Sequence, residues 1–220
     1  MAPSPTATRR ERERELVRAT RALFDERGVQ EAPIEEIAKA VGIARGLIYR
    51  QFSSKDELYV FTVTDYLSEL DGVLRAALAE PREPVAQLEA WARAYADFCL
   101  AYPAFLDCAL SLMRRPAREL REVLSDSVWL RLGQGIAACV AQVSDILRAG
   151  AEAGVFAVED PDYVANVLWT QLLGTTHLTR IGVGIRQAAP GVPALFTVEP
   201  EQVVRTCVST ALATACARDA

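Results

Sequence analysis

The amino-acid sequence predicts an all-α protein of about nine helices. Apolar residues recur at the three- and four-residue spacing of a helix along most of the 220 residues, as at Ile34, Ile37, Ala38 and Val41. Glycine, proline or capping residues separate these stretches, and no alternating pattern typical of a β-strand is present. The predicted helices cover residues 9–27, 33–41, 44–52, 54–78, 85–102, 103–116, 118–153, 161–181 and 201–217.

Particular residues predict where the N-terminal helices begin and end. Gly28 and Gly42 are expected to end the first and second helices, because glycine readily adopts the left-handed conformation that follows a helix. Pro33 suits the first position of the second helix. Ser54 and Glu57 form a Ser-x-x-Glu capping box, which predicts the start of the fourth helix.

The C-terminal half contains the longest predicted helix and the longest predicted loop. Residues 118–153 are predicted to form one helix with a kink near Gly133 and Gly135. Pro161, flanked by acidic residues, favours a new helix start. Residues 182–200 contain three prolines and three glycines, so a loop is expected there.

The second and third predicted helices form a candidate helix-turn-helix unit. Both are short, and residues 41–44 join them with the spacing of that motif. In such a unit the second helix lies in the major groove of DNA while the first crosses the backbone. Ile48 and Phe52 stand four residues apart, so we expect both to face the protein core.

The other face of the third helix offers groups that suit DNA. Arg45 matches a guanine edge or a phosphate, and Tyr49, four residues later, offers a hydroxyl to a phosphate. Gly46 permits a close approach of the backbone, and Arg50 lies beside it. Leu47 either contacts a thymine methyl group or extends the core.

The charge pattern favours the same surface. Residues 37–55 contain Lys39, Arg45, Arg50 and Lys55 and no acid, although the whole chain has a formal net charge of −5. Such a basic segment suits a polyanion, and an ordinary solvated face is the alternative. Lys55 stands in the first turn of the fourth helix, where the helix amides also favour a phosphate.

Residues from about 16 to 61 (LVRATRALFDERGVQEAPIEEIAKAVGIARGLIYRQFSSKDELYVF) resemble the DNA-binding domain of the TetR family of bacterial transcriptional regulators. The resemblance covers about a quarter of the chain; the remainder is similar to the family in size and helix number. The landmarks that produce it are Leu23, Phe24, Gly28, Ile37, Ala38, Gly42, Gly46, Tyr49, Phe52, Ser54 and Lys55.

The resemblance implies an N-terminal three-helix DNA-binding domain, residues 9–58, and a C-terminal helical domain, residues 59–220, for effector binding and dimerisation. It implies a homodimer on a palindromic double-stranded operator, with a four-helix interface built by the last two helices of each chain. Residues 161–182, which are apolar nearly all round, and the small-sided final helix fit such an interface; a monomer core is the alternative.

Three positions depart from the family pattern. Ala32-Pro33 stand where threonines are usual, Ala44 replaces a serine cap, and Gln51 replaces an aromatic residue or histidine. Loss of a serine cap typically costs about 1 kcal/mol. We therefore expect the affinity for DNA to depend more heavily on the cationic side chains of the third and fourth helices.

An effector pocket is predicted among aromatic residues of the C-terminal helices. Apolar walls with a few polar groups are typical of small-molecule sites, although core packing is the alternative for each residue. His177, the only histidine, stands on an apolar helix and is either a ligand contact or a core or interface group. The candidates are Trp91, Tyr95, Phe98, Phe105, Met113, Trp129, Asn166, Trp169 and His177.

Composition argues against several other classes of protein. No apolar run approaches the roughly 18 to 20 residues of a membrane span, and residues 1–8 lack the apolar centre of a signal peptide. A cytoplasmic location without a membrane partner is expected. No nucleophile–base arrangement, phosphate loop or metal cluster is apparent, so we expect no enzyme activity, no cofactor and no metal.

The sequence thus predicts a DNA-binding repressor that a small, mainly apolar ligand releases from its operator. The alternative is a regulator of the same fold that responds to a protein partner or to cysteine oxidation. The five cysteines are expected to be buried core residues, and a redox pair of Cys99 and Cys108 is the alternative.

Overall fold

A computed structural model describes residues 5–27, 33–80 and 82–216, of which residues 5–10 are described by their backbone alone. It confirms the predicted fold class, since the described residues form ten helices and one small antiparallel sheet. The elements are α1 Pro5–Arg27, α2 Ile34–Val41, α3 Arg45–Gln51, α4 Lys55–Ala77, α5 Pro84–Ala101, α6 Pro103–Met113, α7 Ala117–Val123, α8 Asp126–Glu152, α9 Pro161–Ile181, β1 Val183–Ala189, β2 Val192–Thr197 and α10 Pro200–Cys216.

The chain forms two compact units, each assembled from two separate stretches. The first contains Met1–Ser68 and Pro103–Gly135, and the second contains Glu69–Tyr102 and Ile136–Ala220. The functional division expected near residue 58 stays a prediction.

In the first unit, α1 packs against α2, α3 and α6. Leu16, Ile37 and Ile48 form the centre of this core, each no more than 1% exposed. Phe52, equally buried, meets the ring of Phe61 edge-on with 5.2 Å between centroids. Burial of these apolar side chains holds α3 with one face against the core, since each gains roughly 1.5 to 3 kcal/mol on leaving water.

In the second unit, α5, α9 and α10 pack against one another. Leu88, Leu168 and Leu172 are fully buried. Cys207 and Ala211 on α10 are also fully buried, and their small side chains permit a close approach of the helices. The periodic apolar residues of these helices therefore form a core, as their spacing predicts.

Several predicted helix limits are confirmed in atomic detail. The Ser54 hydroxyl accepts a hydrogen bond from the Glu57 N–H at 3.0 Å, as a capping box requires. Asp160 caps α9 by accepting from the Tyr163 N–H at 3.0 Å, although its role was predicted only as one of several acids at that start. Gly28, the predicted end of α1, lies outside the described residues.

The loop predicted over residues 182–200 is wrong, because most of it forms a β-hairpin. β1 and β2 pair antiparallel, with Ile185 opposite Leu195. Gly191, with φ of 77°, forms the turn together with Pro190. A Pro-Gly pair between two apolar stretches favours a hairpin turn over a longer loop. Gly184 also has a specific place, since the ring of Phe196 lies where a Cβ on residue 184 would be.

The single helix predicted over residues 118–153 is also wrong. The chain breaks at Leu124, which is extended (φ −106°, ψ 142°) and only 6% exposed. The Ser125 carbonyl then accepts from Trp129 N–H at 2.9 Å, which begins α8. Burying Leu124 decides the break, while α8 runs without interruption through Gly133 and Gly135, where a kink was expected.

Candidate functional site

The turn between α2 and α3 has the geometry that the sequence predicts. Gly42 ends α2 in the left-handed conformation, with φ of 71°. Its N–H donates to Lys39 O at 3.1 Å, and the Ile43 N–H donates to Ala38 O at 3.0 Å. These two bonds satisfy carbonyls at the end of α2 and fix the direction in which the chain enters α3.

α3 has two chemically distinct faces. Ile48 is 1% exposed and faces the core. Arg45, Tyr49 and Arg50 are exposed on the remaining surface, with Tyr49 43% exposed. Leu47 is half-buried at the boundary, so its outer atoms are accessible to a ligand while its inner atoms pack.

Arg45 does not stand free on this surface. Its Nη1 lies 2.5 Å from Oε1 of Glu35, an acid at the start of α2. Its guanidinium also lies 5.5 Å from the centre of the Tyr49 ring. A hydrogen bond with Tyr49, followed by the charge of Glu35, raises the pKa of Arg45, so it remains a cation at all physiological pH values.

Glu35 is a residue that sequence reasoning missed. Residues 37–55 contain no acid, but in the folded protein the first turn of α2, just before this segment, lies next to the start of α3. A window two residues wider would have included Glu35 and Glu36. Glu36 pairs with Arg27 instead, so the two neighbouring acids have different partners.

Two further cations extend the candidate surface. Arg50 and Lys55 are exposed and form no ion pair within the described part of the chain. The start of α4 near Lys55 also carries the Glu57 carboxylate, which accepts from the Ser53 N–H at 2.5 Å and from the Ser53 hydroxyl at 2.6 Å. Lys55 therefore offers its charge to an anion, while the Glu57 N–H in the first turn of α4 already donates to the Ser54 hydroxyl.

Gly46 and Ala44 are two small residues at the start of α3. A Cβ built on Gly46 would meet nothing within 4 Å, so the fold itself leaves room for a side chain there. Ala44 stands at the N-cap of α3 without a side-chain cap, as expected from its lack of a hydroxyl. The glycine is thus unexplained by packing and suits a surface that a ligand approaches closely.

A second candidate site is an aromatic cluster on α5 and α9. The rings of Trp91 and Tyr95 stack with centroids 5.5 Å apart and an interplanar angle of 18°. Trp169 meets Tyr95 edge-on at 4.9 Å. Trp91 and Tyr95 are fully buried, whereas Trp169 is half-buried.

This cluster contains polar atoms without partners. Trp91 Nε1 and the Tyr95 hydroxyl are buried and make no hydrogen bond to oxygen or nitrogen in the described residues, with the Cys99 thiol as the polar neighbour of Tyr95. Burial raises the pKa of the Tyr95 hydroxyl, which stays protonated. His177 Nδ1, two turns beyond Trp169 on α9, is likewise buried and unpartnered. Trp91 Nε1 and His177 Nδ1 each cost about 1 to 3 kcal/mol until something binds them.

The other predicted pocket residues have varied surroundings. Phe98 contacts the ring of Tyr102 at 4.7 Å in the second unit. Asn166 is exposed and donates to its own helix, at Asp162 O, 2.9 Å away. Phe105, Met113 and Trp129 belong to the first unit, where Phe105 is buried, Trp129 is half-buried and Met113 is 49% exposed.

Four of the five cysteines are buried, and Cys216 is exposed. Burial raises the pKa of Cys99, Cys108 and Cys139 to about 12 each, and that of Cys207 to about 11. Since the thiolate is the reactive form, these four side chains are poor nucleophiles at neutral pH.

Among the described residues, no group of three or more histidine, cysteine or acidic side chains is arranged to hold a metal ion. In the same part of the chain no single helix is both long and apolar enough to cross a membrane, and only the broken pair α5 and α6 passes by length and composition.

Part of the sequence is similar to known regulators. Residues 16–60 match the family model of bacterial regulatory proteins of the tetR family. The transcriptional activator FasR of Mycolicibacterium smegmatis is 33% identical over 90 residues, 41% of each chain. The transcriptional repressor KstR2 of Rhodococcus jostii is 33% identical over 93 residues, 41% of this chain and 46% of the relative. The chain thus spans less than half the length of these relatives.

Solved structures are similar along nearly the whole chain. The TetR family regulator PfmR of Thermus thermophilus superposes with a TM-score of 0.60 and 22% identity, covering 90% of this chain and 96% of PfmR. A crystal structure of RolR in complex with resorcinol gives a TM-score of 0.67 and 16% identity, covering 96% of this chain and 90% of RolR. At these identities the likeness shows the fold.

Proposed function

We propose, from the match of residues 16–60 to the family model of bacterial regulatory proteins of the tetR family, that the chain is a DNA-binding repressor released from its operator by a small, mainly apolar ligand. The observation that supports DNA binding is the exposed surface of α3, where Arg45, Tyr49 and Arg50 face solvent while Ile48 is buried. α3 enters the major groove, and α2 crosses the backbone.

Each exposed group has a distinct role in this proposal. Arg45 exchanges Glu35 for a guanine edge or a phosphate, and Tyr49 supports the guanidinium and offers its hydroxyl. Arg50 and Lys55 contact phosphates, which fix the orientation of α3 without reading sequence. Gly46 lets the helix backbone approach the groove, and the outer part of Leu47 is available to a thymine methyl group.

The proposal is tested with the DNA upstream of the protein's own gene. Arg45→Ala is expected to weaken binding roughly five- to hundredfold and to relax the preference for one base pair. Lys55→Ala is expected to weaken binding to all sequences equally and to reduce the slope of affinity against salt. Fluorescence anisotropy at several salt concentrations measures both. Unchanged binding by both variants would show that this face does not bind DNA.

We propose that the repressor acts as a homodimer through α9 and α10 on a palindromic site. The exposed side of α9 includes the small residue Gly174, which favours close helix approach. Two copies would place their α3 helices in half-sites about 34 to 36 Å apart. Footprinting of the upstream DNA tests this, since a dimer protects two symmetric half-sites and a monomer protects one.

The effector site proposed here is the aromatic cluster of α5 and α9. Two buried donors, Trp91 Nε1 and the Tyr95 hydroxyl, lack oxygen or nitrogen partners, so a planar ligand with a hydroxyl or carbonyl group would satisfy them. RolR, which shares the fold, was crystallised with resorcinol, a ligand of this chemistry. His177 Nδ1 is a further polar contact on the same helix as Trp169.

Titration of the protein–DNA complex with resorcinol and a panel of monocyclic phenols tests the effector site. Release of DNA by one of these, weakened at least about tenfold in Trp91→Phe, is expected, because phenylalanine has a smaller aromatic ring and lacks the indole N–H. Asn166→Ala is the matched control, since Asn166 is exposed and bonds its own helix. Release by a phenol that is equally effective on Trp91→Phe would place the effector elsewhere.

The alternative is a regulator controlled by a protein partner or by cysteine oxidation. Burial and the raised pKa of Cys99, Cys108, Cys139 and Cys207 disfavour oxidation. Diamide separates the two mechanisms: release of DNA by diamide, and by no ligand, would favour oxidative control. The relatives differ in whether they activate or repress, since FasR is named an activator and KstR2 a repressor. A reporter gene under the upstream DNA measures which of the two this protein does.

A further inference from the structure

The β1–β2 hairpin presents an apolar face to solvent. Ile185 and Leu195 are directly opposite each other, and they are 75% and 64% exposed. Val183 lies two residues before Ile185, on the same face, and is 41% exposed. Large apolar side chains that lie side by side are normally covered, and a contiguous exposed patch of them marks an interaction surface.

The opposite face of the hairpin differs in composition. Arg186 and Ala194 form a pair there, and Phe196 covers Gly184 on the same side. Arg186 is the only charged residue between positions 183 and 197. The apolar face therefore contains no charge, and its polar members are Gln187 and Thr197 at its ends.

An isolated two-stranded hairpin is marginally stable in water and needs further packing. Both of its edges also expose unpaired backbone groups, which are a template for association. Among the described residues, the contacts that fix it are at its base, where the Val198 N–H donates to Gly182 O at 3.1 Å. A partner that covers the apolar face would supply the missing packing.

The exposed stripe of α9 leads directly into this face. Tyr163, Leu178 and Ile181 are 68%, 41% and 52% exposed, and Gly174 stands between them at helical spacing. The stripe ends at Ile181, two residues before Val183 begins β1. The hairpin is thus continuous with the helix proposed as the dimer interface.

We propose that the hairpin is a dimerisation arm whose apolar face, together with the α9 stripe, binds a second copy of this chain. The inference rests on the proposed homodimer and extends its interface beyond the helices. In a two-fold contact the same patch occurs on both sides, so a charge near the axis meets its own copy. A patch without charge avoids that repulsion, which favours a second copy over a partner recognised by complementary charges.

A pair of neighbouring substitutions tests the arm. Leu195→Lys adds a charge to the apolar face, whereas Ala194→Lys adds the same charge one residue earlier, on the opposite face. Analytical ultracentrifugation over a range of protein concentrations measures the dimer dissociation constant. Leu195→Lys is expected to raise it at least about tenfold, because an ammonium is buried without a partner, and Ala194→Lys is expected to leave it within about twofold.

A second set of measurements distinguishes loss of the hairpin contact from misfolding of the variants. Far-UV circular dichroism of both variants is expected to match that of the wild type, and amide exchange in residues 183–197 is expected to slow as the wild-type protein dimerises. A wild-type dimer with the same dissociation constant in Leu195→Lys would overturn the arm and leave the proposed regulator intact. A wild-type protein that stays monomeric, free and on DNA, would overturn both the arm and the proposed dimer.

Discussion

Arg45 on α3 is paired with Glu35 on α2, with 2.5 Å between Nη1 and Oε1. Both side chains remain more than half exposed, at 59% and 56%, so the pair is accessible to an incoming anion. The cation expected to read DNA therefore already has a partner in the free protein. Binding to DNA requires an exchange, in which a guanine edge or a phosphate replaces the Glu35 carboxylate.

Glu35→Gln is expected to tighten binding to the upstream DNA by about two- to fivefold, because it removes the competing carboxylate and a negative charge near the phosphates. Its preference for the specific sequence over random DNA is expected to stay within about twofold, since phosphates gain as much as the guanine does. Anisotropy with both DNAs measures the two affinities.

Glu36→Gln is the matched control for this prediction. Glu36 is the next residue on α2 and loses the same charge, but it pairs with Arg27 rather than Arg45. If both variants tighten binding by the same factor, the effect belongs to net charge and not to the pairing of Arg45.

Gly46→Ala is expected to separate stability from DNA binding. Alanine favours a helix over glycine by up to about 1 kcal/mol, and a Cβ at residue 46 meets nothing within 4 Å. The variant should thus unfold at a higher urea concentration while binding DNA at least about fivefold more weakly, because the methyl group prevents close approach. Ala44→Ser is the comparison, since a restored cap adds about 1 kcal/mol without bulk at residue 46. Wild-type affinity in Gly46→Ala would show that the backbone does not approach DNA here.

Two glycines of α8 are expected to respond oppositely to the same substitution. A Cβ on Gly150 would lie 1.9 Å from Cδ2 of Phe156, a ring that is 6% exposed, so Gly150→Ala must displace it at a cost of roughly 1 to 3 kcal/mol. Gly133 has nothing within 4 Å, and Gly133→Ala should stabilise the protein by up to about 1 kcal/mol. Urea unfolding followed by circular dichroism measures both. Equal shifts would show that Phe156 does not occupy this place in solution.

The cysteines are expected to differ sharply in reactivity. At pH 8 the pKa of about 12 for Cys99, Cys108 and Cys139, and of about 11 for Cys207, keeps these thiols protonated, whereas Cys216 is exposed. Ellman's reagent should therefore modify one thiol per chain quickly and the other four only after unfolding. Cys216→Ser should abolish the fast phase. A fast phase that persists in this variant would make a buried cysteine a candidate redox sensor again.

The sequence predicted the helix-turn-helix unit well because its determinants are local. Gly42 ends α2 through its own conformation, and Ser54 caps α4 through a residue three positions away. The hairpin was missed because its turn signal, Pro190-Gly191, stands among prolines and glycines that equally suit a loop, and strand pairing is decided between distant residues. The break at Leu124 was missed because burial of one leucine decided it.

What the sequence determined by itself is the division of α3 into two faces. A period of 3.6 residues places Tyr49 and Arg50 roughly 100° and 160° around the helix from Ile48, so burial of Ile48 leaves both toward solvent, with Arg45 at the edge between the two faces. Only the tertiary structure decided that Glu35 meets Arg45 and that Ile185 pairs with Leu195 on an exposed hairpin. Those relationships depend on how one element packs beside another, and such contacts are specified by the whole core and not by the spacing of residues along one helix.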